Sequence, residues 1–439
     1  MIEKQKLKPI SGFPEWLPEI RMVEQAWIER IRGVFESYGF APIETRSVEP
    51  VEVLLKQGDT DKEIYALRRL LEEEGAGREP DYALHYDLTV PMARYVAANL
   101  NDLTFPFKRY QIQRAWRGER PQEGRFREFT QCDIDVVDVR PIPLHFDAEM
   151  PAIVYEVMQA LDVGPTVTRL NNRKVLEGFY KALGVADAHE VIRIVDKQDK
   201  IGADGVSRML SDELGLDAAT IDQVLKLAEI QGTKADVVDR VRALGVTGEL
   251  LEQGLDELRF VMKALEDYPE GAFVADLSVA RGLAYYTGTV YEVKFADDPA
   301  FPTICGGGRY ENLVGSMLNK HLPGIGISIG LTRIFSKLVK DGKIASARKT
   351  PSEVMVCWLP DASYEEICET AAALRRRGIK TEQFHEPRKL KQQISYASAK
   401  GIPYIWFPAV GADGRHEVKA LETGAQAEAD PESWTPARG

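Results

Sequence analysis

Phe126-Arg127-Glu128-Phe129-Thr130-Gln131-Cys132-Asp133-Ile134-Asp135 alternates in the way a β-strand requires. Successive strand side chains point to opposite faces. Cys132, Ile134 and Val136 therefore share one face and can pack. Arg127, Phe129, Gln131, Asp133 and Asp135 share the other, which offers a cation, an aromatic ring, an amide and two carboxylates. A half-wet antiparallel sheet shows such a face to water; a binding site shows it to a ligand. The alternation alone leaves both open. Phe105 to Arg117 reads as a second strand, and the charged stretch Gly118 to Arg125 joins it to Phe126–Val139. The spacing predicts an antiparallel pair.

Working outward, Arg114, Arg117, Arg120, Arg125 and Arg127 crowd this hairpin together with Glu119 and Glu128. Guanidinium groups pair phosphate oxygens two at a time, so this density suits a triphosphate or RNA; a solvated charge run is the bland alternative. Further on, Phe273–Ala280 and Thr287–Phe295 have strand character and enclose Arg281-Gly282-Leu283-Ala284-Tyr285-Tyr286-Thr287-Gly288. A tyrosine pair fits a core as well as a ligand site. Gly306-Gly307-Gly308 and Gly324-Ile325-Gly326-Ile327-Ser328-Ile329-Gly330 permit close backbone approach, and neither has the spacing of a P-loop or a dinucleotide fingerprint. Arg333 beyond them reads equally as a ligand contact or a surface charge.

The rest of the chain frames these segments. Ile20, Val23, Trp27, Ile31, Val34 and Tyr38 recur at helical steps, with Gly39 placed to stop the helix, and Ile43–Val48 reads as a strand. Residues 170–268 turn mainly helical. Residues 341–352 are polar and read as a linker. From Glu353 the order is strand, helix, strand, helix, strand, a small α/β domain. Its Arg375-Arg376-Arg377 and Arg388-Lys389-Leu390-Lys391 clusters suit RNA phosphates or mere solubility. The 439 residues carry a net charge of -12, with 44% hydrophobic and 28% charged residues, an ordinary globular composition. Four scattered cysteines and six histidines lack the spacing of a zinc site, so no metal held by Cys or His is expected. The polar N-terminus and the absence of a long apolar run read as a cytoplasmic protein without a membrane span.

Several of these segments resemble one family. Arg117 to Phe129 resembles motif 2 of the class II aminoacyl-tRNA synthetases in its histidine-specific form. RGLAYYTG at Arg281–Gly288 and GGGRYENLVG at Gly306–Gly315 resemble the two histidine signatures, and Gly324–Arg333 resembles motif 3. The resemblance implies an α+β fold, with a class II antiparallel sheet flanked by helices, a helical insertion and a C-terminal α/β anticodon-binding domain. Its implied boundaries are 1–169 and 269–340 for the two parts of the catalytic domain, 170–268 for the insertion, and 353–439 for the anticodon-binding domain.

The resemblance also implies a reaction, histidine activation by ATP with Mg²⁺ followed by transfer to the histidine tRNA, and a homodimer. By motif, Arg281 and Arg117 are the catalytic cations. Asp87, Leu88, Thr89 and Gln131 belong to the set around the histidine α-amino group. Asp135, Tyr285, Tyr286 and Tyr310 belong to the imidazole pocket. Arg117, Glu119, Arg127, Phe129 and Arg333 belong to the ATP site, and Arg120 and Gln122 to the tRNA acceptor end. Two positions depart from the pattern: Arg46 stands where motif 1 usually has proline, and Ala284 where the first signature usually has aspartate.

Overall fold

A computed structural model describes residues 8–55, 63–69, 80–280, 286–312, 321–410 and 414–437. The chain divides into two compact units, one of residues 1–14 and 27–340, the other of residues 15–26 and 341–439.

The larger unit is built on a sheet of nine strands among the described residues. Their order is Ala41–Pro42, Phe107–Trp116, Glu128–Val137, Gly324–Gly330, Cys305–Tyr310, Tyr286–Phe295, Thr166–Asn172, Phe273–Asp276 and Gln231–Gly232. The five central strands, from Phe107–Trp116 through Tyr286–Phe295, pair antiparallel. The predicted hairpin is the core of this sheet, with Arg109 opposite Asp135, Gln111 opposite Asp133 and Gln113 opposite Gln131. Parallel pairing occurs only towards the edges among these strands, at Ala41–Pro42 and at Phe273–Asp276. The sheet is therefore mixed.

Helices cover it. Phe146–Leu161 buries Met150, Ile153, Val154 and Val157. The first helix, Pro18–Ser37, buries Trp27, Ile31 and Phe35, and the Trp27 ring meets Phe335 edge-on at 5.2 Å. The buried stripe thus ends on Phe35 rather than Val34 and Tyr38, because steps of four follow this face better than alternating threes and fours. Ile43–Val48 is not one strand: Ala41–Pro42 and Val48–Pro50 pair into different sheets. Between Thr166–Asn172 and Phe273–Asp276 lie six helices, from Arg173–Ala182 to Glu249–Ala264. The first and last of these pack so closely that a Cβ at Gly178 would lie 2.4 Å from the Leu251 nitrogen.

The smaller unit holds a five-stranded sheet ordered Thr381–Gln383, Val354–Val356, Tyr404–Phe407, Glu417–Ala420, Gln426–Glu428. The first three are parallel, and the last two form an antiparallel hairpin absent from the sequence reading. Helix Tyr364–Arg376 starts on a capping box between Ser363 and Glu366.

One buried ion pair locks the large sheet to its helices. Arg309, on strand Cys305–Tyr310, donates from Nε to both Asp147 carboxylate oxygens at 3.1 Å, and from Nη1 to the Ile142 carbonyl at 3.0 Å. Asp147 is fully buried. Removing one partner of such a pair strands the other charge. Asp147→Ala is expected to destabilise the fold by about 3–5 kcal/mol, read as a lower urea midpoint; an unchanged midpoint refutes this role.

Candidate functional site

The central strand Glu128–Val137 turns Gln131, Asp133 and Asp135 onto one face, as its alternation predicts, but that face is buried, not solvated. Asp133 is 2% exposed and Asp135 4%. The neighbouring glycines make the room. A Cβ at Gly326 would lie 2.0 Å from Asp135 Oδ1, and a Cβ at Gly324 2.4 Å from the Tyr310 ring. The close approach that glycine permits here is therefore a condition of the site.

Arg109, whose side chain is fully buried, brings Nη2 to 2.5 Å from Asp135 Oδ2. The guanidinium nitrogens are not aligned for a hydrogen bond, so we read the contact as a charge pair. The Tyr310 hydroxyl donates to Asp135 Oδ1 at 3.0 Å. Burial pushes the Asp133 carboxyl up to about 7 and the Asp135 carboxyl up to about 6, although Arg109 pulls both back. Thr89, Asp133, Asp135, Tyr286 and Tyr310 line a narrow cavity with Ser328 and Gly306.

A wider cleft, with about 780 Å³ of empty space, adjoins it. Arg117, Glu119, Arg125, Phe129, Gln131 and Arg333 are among its walls. Arg117 is held by the Tyr86 carbonyl at 3.0 Å, and its guanidinium lies 5.1 Å from the Phe129 ring centre. Arg333 donates to the Gly124 carbonyl at 2.5 Å and to the Thr303 carbonyl. Burial first, then the charges of Arg117 and Arg125, push Arg333 below its ordinary pKa. An arginine stays protonated through such a shift, so Arg333 remains a cation beside Arg117 and Arg125. Glu119 offsets part of it, 2.9 Å from Arg125 and 3.9 Å from Arg117. Both cavities include Gly306 and Ser328 in their walls, so they are neighbours.

A sequence model of the family described as histidyl-tRNA synthetase matches residues 12–334. A histidine–tRNA ligase of Thermobifida fusca is 57% identical over 427 residues, covering 97% of each chain. The chain belongs to the histidyl-tRNA synthetase family. A histidine–tRNA ligase of Micrococcus luteus is 47% identical, over 97% of this chain and 96% of the relative. The crystal structure of the histidyl-tRNA synthetase from a Nostoc species superposes with a TM-score of 0.86 at 38% identity, over 97% of each chain.

Most residues singled out by the family's motifs come together. Thr89, Asp135, Tyr286 and Tyr310 line the narrow cavity, and Arg117, Glu119, Phe129, Gln131 and Arg333 the cleft. Arg127 lies beside the cleft, its Nε donating to the Glu119 carbonyl at 3.2 Å. Leu88 is fully buried and lines neither cavity. Asp87 is buried as well, and its Oδ1 accepts the Val90 N–H at 3.1 Å, in the first turn of the helix Thr89–Ala98. Arg120 and Gln122 are exposed at the hairpin tip. Arg281, Tyr285 and the divergent Ala284 lie outside the described residues. Arg46 pairs with the buried Glu49 at 2.7 Å, and Arg94 holds the same carboxylate from its other oxygen.

Asp133, Arg109 and Ser328 were not assigned from sequence. Asp133 carried a signal, sharing the polar face; Arg109 and Ser328 gained theirs only through register. Among the described residues no group of three His, Cys, Asp or Glu side chains could hold a metal ion.

The raised carboxyls have a consequence for stability. Between the ordinary value of 3.8 and about 7, folded Asp133 keeps a proton that the unfolded chain has released. Its stabilising contribution is complete below that window and is lost as pH rises through about 7. Wild-type protein should therefore lose stability relative to Asp133→Asn between pH 5 and pH 8. Urea midpoints at both values test this, and a pH-independent difference rejects it.

Proposed function

We propose that the chain is an ATP-dependent histidine–tRNA ligase. It joins the carboxylate of L-histidine to the α-phosphorus of ATP and releases pyrophosphate. It then passes the histidyl group to the 3′ end of its tRNA and releases AMP. The observation that carries this reading is the shared wall at Gly306 and Ser328, which sets an arginine-walled cleft beside a carboxylate-walled cavity. An amino acid held in the cavity can present its carboxylate to a phosphate held in the cleft.

The chemistry asks for positioning and positive charge. Two anions approach, a C–O–P bond forms as the bond from Pα to the pyrophosphate oxygen breaks, and charge builds on phosphoryl oxygens. Arg117 meets the α-phosphate from the cleft, and Arg281 acts between that phosphate and the histidine carboxylate. Phe129 and Arg333 enclose the adenine, with Glu119 near the nucleotide and Arg127 reaching the triphosphate. In the cavity Asp135, Tyr286 and Tyr310, with Tyr285, receive the imidazole. Asp87, Leu88, Thr89 and Gln131 form the set around the α-amino group. Imidazole has two hydrogen-bonding nitrogens. A site that pairs both rejects apolar side chains by roughly 10⁴-fold or more, because its own polar groups would otherwise stay unpaired.

Mg²⁺ accompanies the ATP. Glu119 supplies a carboxylate in the cleft wall, and one carboxylate with phosphate oxygens suits a cation that arrives on the triphosphate rather than in a cage of protein ligands. When bound, it neutralises charge on the departing pyrophosphate.

The tRNA acceptor end meets Arg120 and Gln122, and residues 353–439 receive the anticodon. The protein acts in the cytoplasm as a homodimer. Of the two basic clusters in the smaller unit, the first is committed internally: Arg375 donates to the Thr381 carbonyl at 3.0 and 2.8 Å, and Arg377 to carbonyls of Pro431, Ser433 and Trp434. Lys389 and Lys391, at the start of helix Leu390–Lys400, are exposed, and they are the better RNA face.

ATP–pyrophosphate exchange with each of the twenty amino acids, without tRNA, tests the first step. Histidine alone is expected to support exchange; exchange with another amino acid, or none, overturns the reading. Replacing Lys389 and Lys391 together by alanine should raise the KM for tRNA several-fold and shrink the salt slope of binding by about 2. An unaltered slope argues against phosphate contacts there.

A further inference from the structure

Each carboxylate around the narrow cavity can be followed oxygen by oxygen. Asp135 has both engaged, Oδ1 by the Tyr310 hydroxyl and Oδ2 by Arg109. Asp87 Oδ1 holds the Val90 N–H, and Asp87 is not in the cavity wall. Asp133 differs. It lines the cavity, is 2% exposed, and its Oδ1 is buried without a hydrogen-bond partner. Buried polar atoms of a folded protein are nearly always paired, and the exceptions call for a ligand, a water or a role.

A second unpaired acceptor lies beside it. Gln131 precedes Asp133 by two residues on the same strand face, roughly 6.6–7 Å along the strand, and its Oε1 is buried and unpartnered as well. Ser328 fixes both side chains from the facing strand, where it stands directly opposite Asp133. Its hydroxyl accepts from Gln131 Nε2 at 2.7 Å and lies close enough to the Asp133 carboxyl to favour its charged form. With one proton, a hydroxyl that accepts from the amide can donate to the carboxylate. The amide nitrogen is thereby turned to Ser328, and the amide oxygen is left for the site.

We propose that Asp133 is a substrate-binding residue: its Oδ1, together with Gln131 Oε1, receives the α-ammonium group of the amino acid, and Ser328 positions the pair. An ammonium group brings three N–H donors and no acceptor, the complement of two buried acceptors and a negative charge. Asp135, with its oxygens already engaged by Tyr310 and Arg109, is left to the imidazole end. This assignment rests on the histidine reading above and adds to it a carboxylate that the family motifs did not mark.

Two small probes separate the ends of the substrate. Histamine carries the ammonium and the imidazole; 4-methylimidazole carries the imidazole alone. Binding of each is measured by ligand-observed NMR titration of the full chain. Asp133→Asn is expected to weaken histamine about 10- to 100-fold, the scale of one lost charge-assisted hydrogen bond, and to leave 4-methylimidazole unchanged. Ser328→Ala, which keeps every charge, should show the same selectivity at smaller size, and it serves if the buried asparagine impairs folding. Equal weakening of both probes, or no weakening of histamine, overturns the proposal. Wild-type protein that binds neither histamine nor histidine fails one step earlier and overturns the histidine reading itself.

Discussion

Burying carboxylates in the middle of a sheet is the constraint on which the rest of this structure depends. Desolvation opposes the charged form of Asp133 and Asp135 more strongly than any other influence on them. Three features answer that cost. Arg109 stands opposite Asp135 in the adjoining strand and meets it at 2.5 Å. Tyr310 reaches Asp135 from two strands away. The strand between them carries Gly324 and Gly326, where a methyl group would enter the space of Tyr310 and of Asp135. Alanine at Gly326 would remove the site without touching a residue that binds anything.

The same constraint divides the site by charge. Towards Asp133 and Asp135 the walls are acidic and narrow; towards Arg117, Arg125 and Arg333 they are cationic and wide. In the proposed reading a zwitterionic amino acid lies across this boundary, ammonium towards the carboxylates and carboxylate towards the arginines. Polar groups already fixed by protein partners need little rearrangement when charge develops. Arg117 on the Tyr86 carbonyl and Arg333 on Gly124 and Thr303 are held in that way.

Much of this was legible from local patterns. The period-two alternation of residues 126–135 is carried within one continuous segment, and it gave the hairpin and the shared face of Gln131, Asp133 and Asp135. Other features depend on partners distant in the chain. Arg309 reads as one more residue of a glycine-rich signature, yet it forms a buried pair with Asp147, 162 positions away. Asp87 is marked by motif for the amino group, and the fold adds a local bond, its Oδ1 accepting the Val90 N–H. Arg375 and Arg377 read equally as an RNA surface or a solubility feature, and the fold commits both to backbone carbonyls of their own domain.

By itself the sequence determined the α+β character, the central antiparallel pair, the glycine strands and the family motifs. Each of these is written in residues near one another, where alternation, helical steps and turn chemistry act over a few bonds. Only the tertiary structure decided that the polar face is buried, which strand stands opposite which, and which acceptors are left without a donor. Burial is set largely by segments more than a hundred residues apart in the chain, and which charges meet is a property of strand register. A carboxylate looks the same in a sequence whether an arginine or a ligand will meet it. The fold gave Asp135 to Arg109 and left Asp133 facing the cavity.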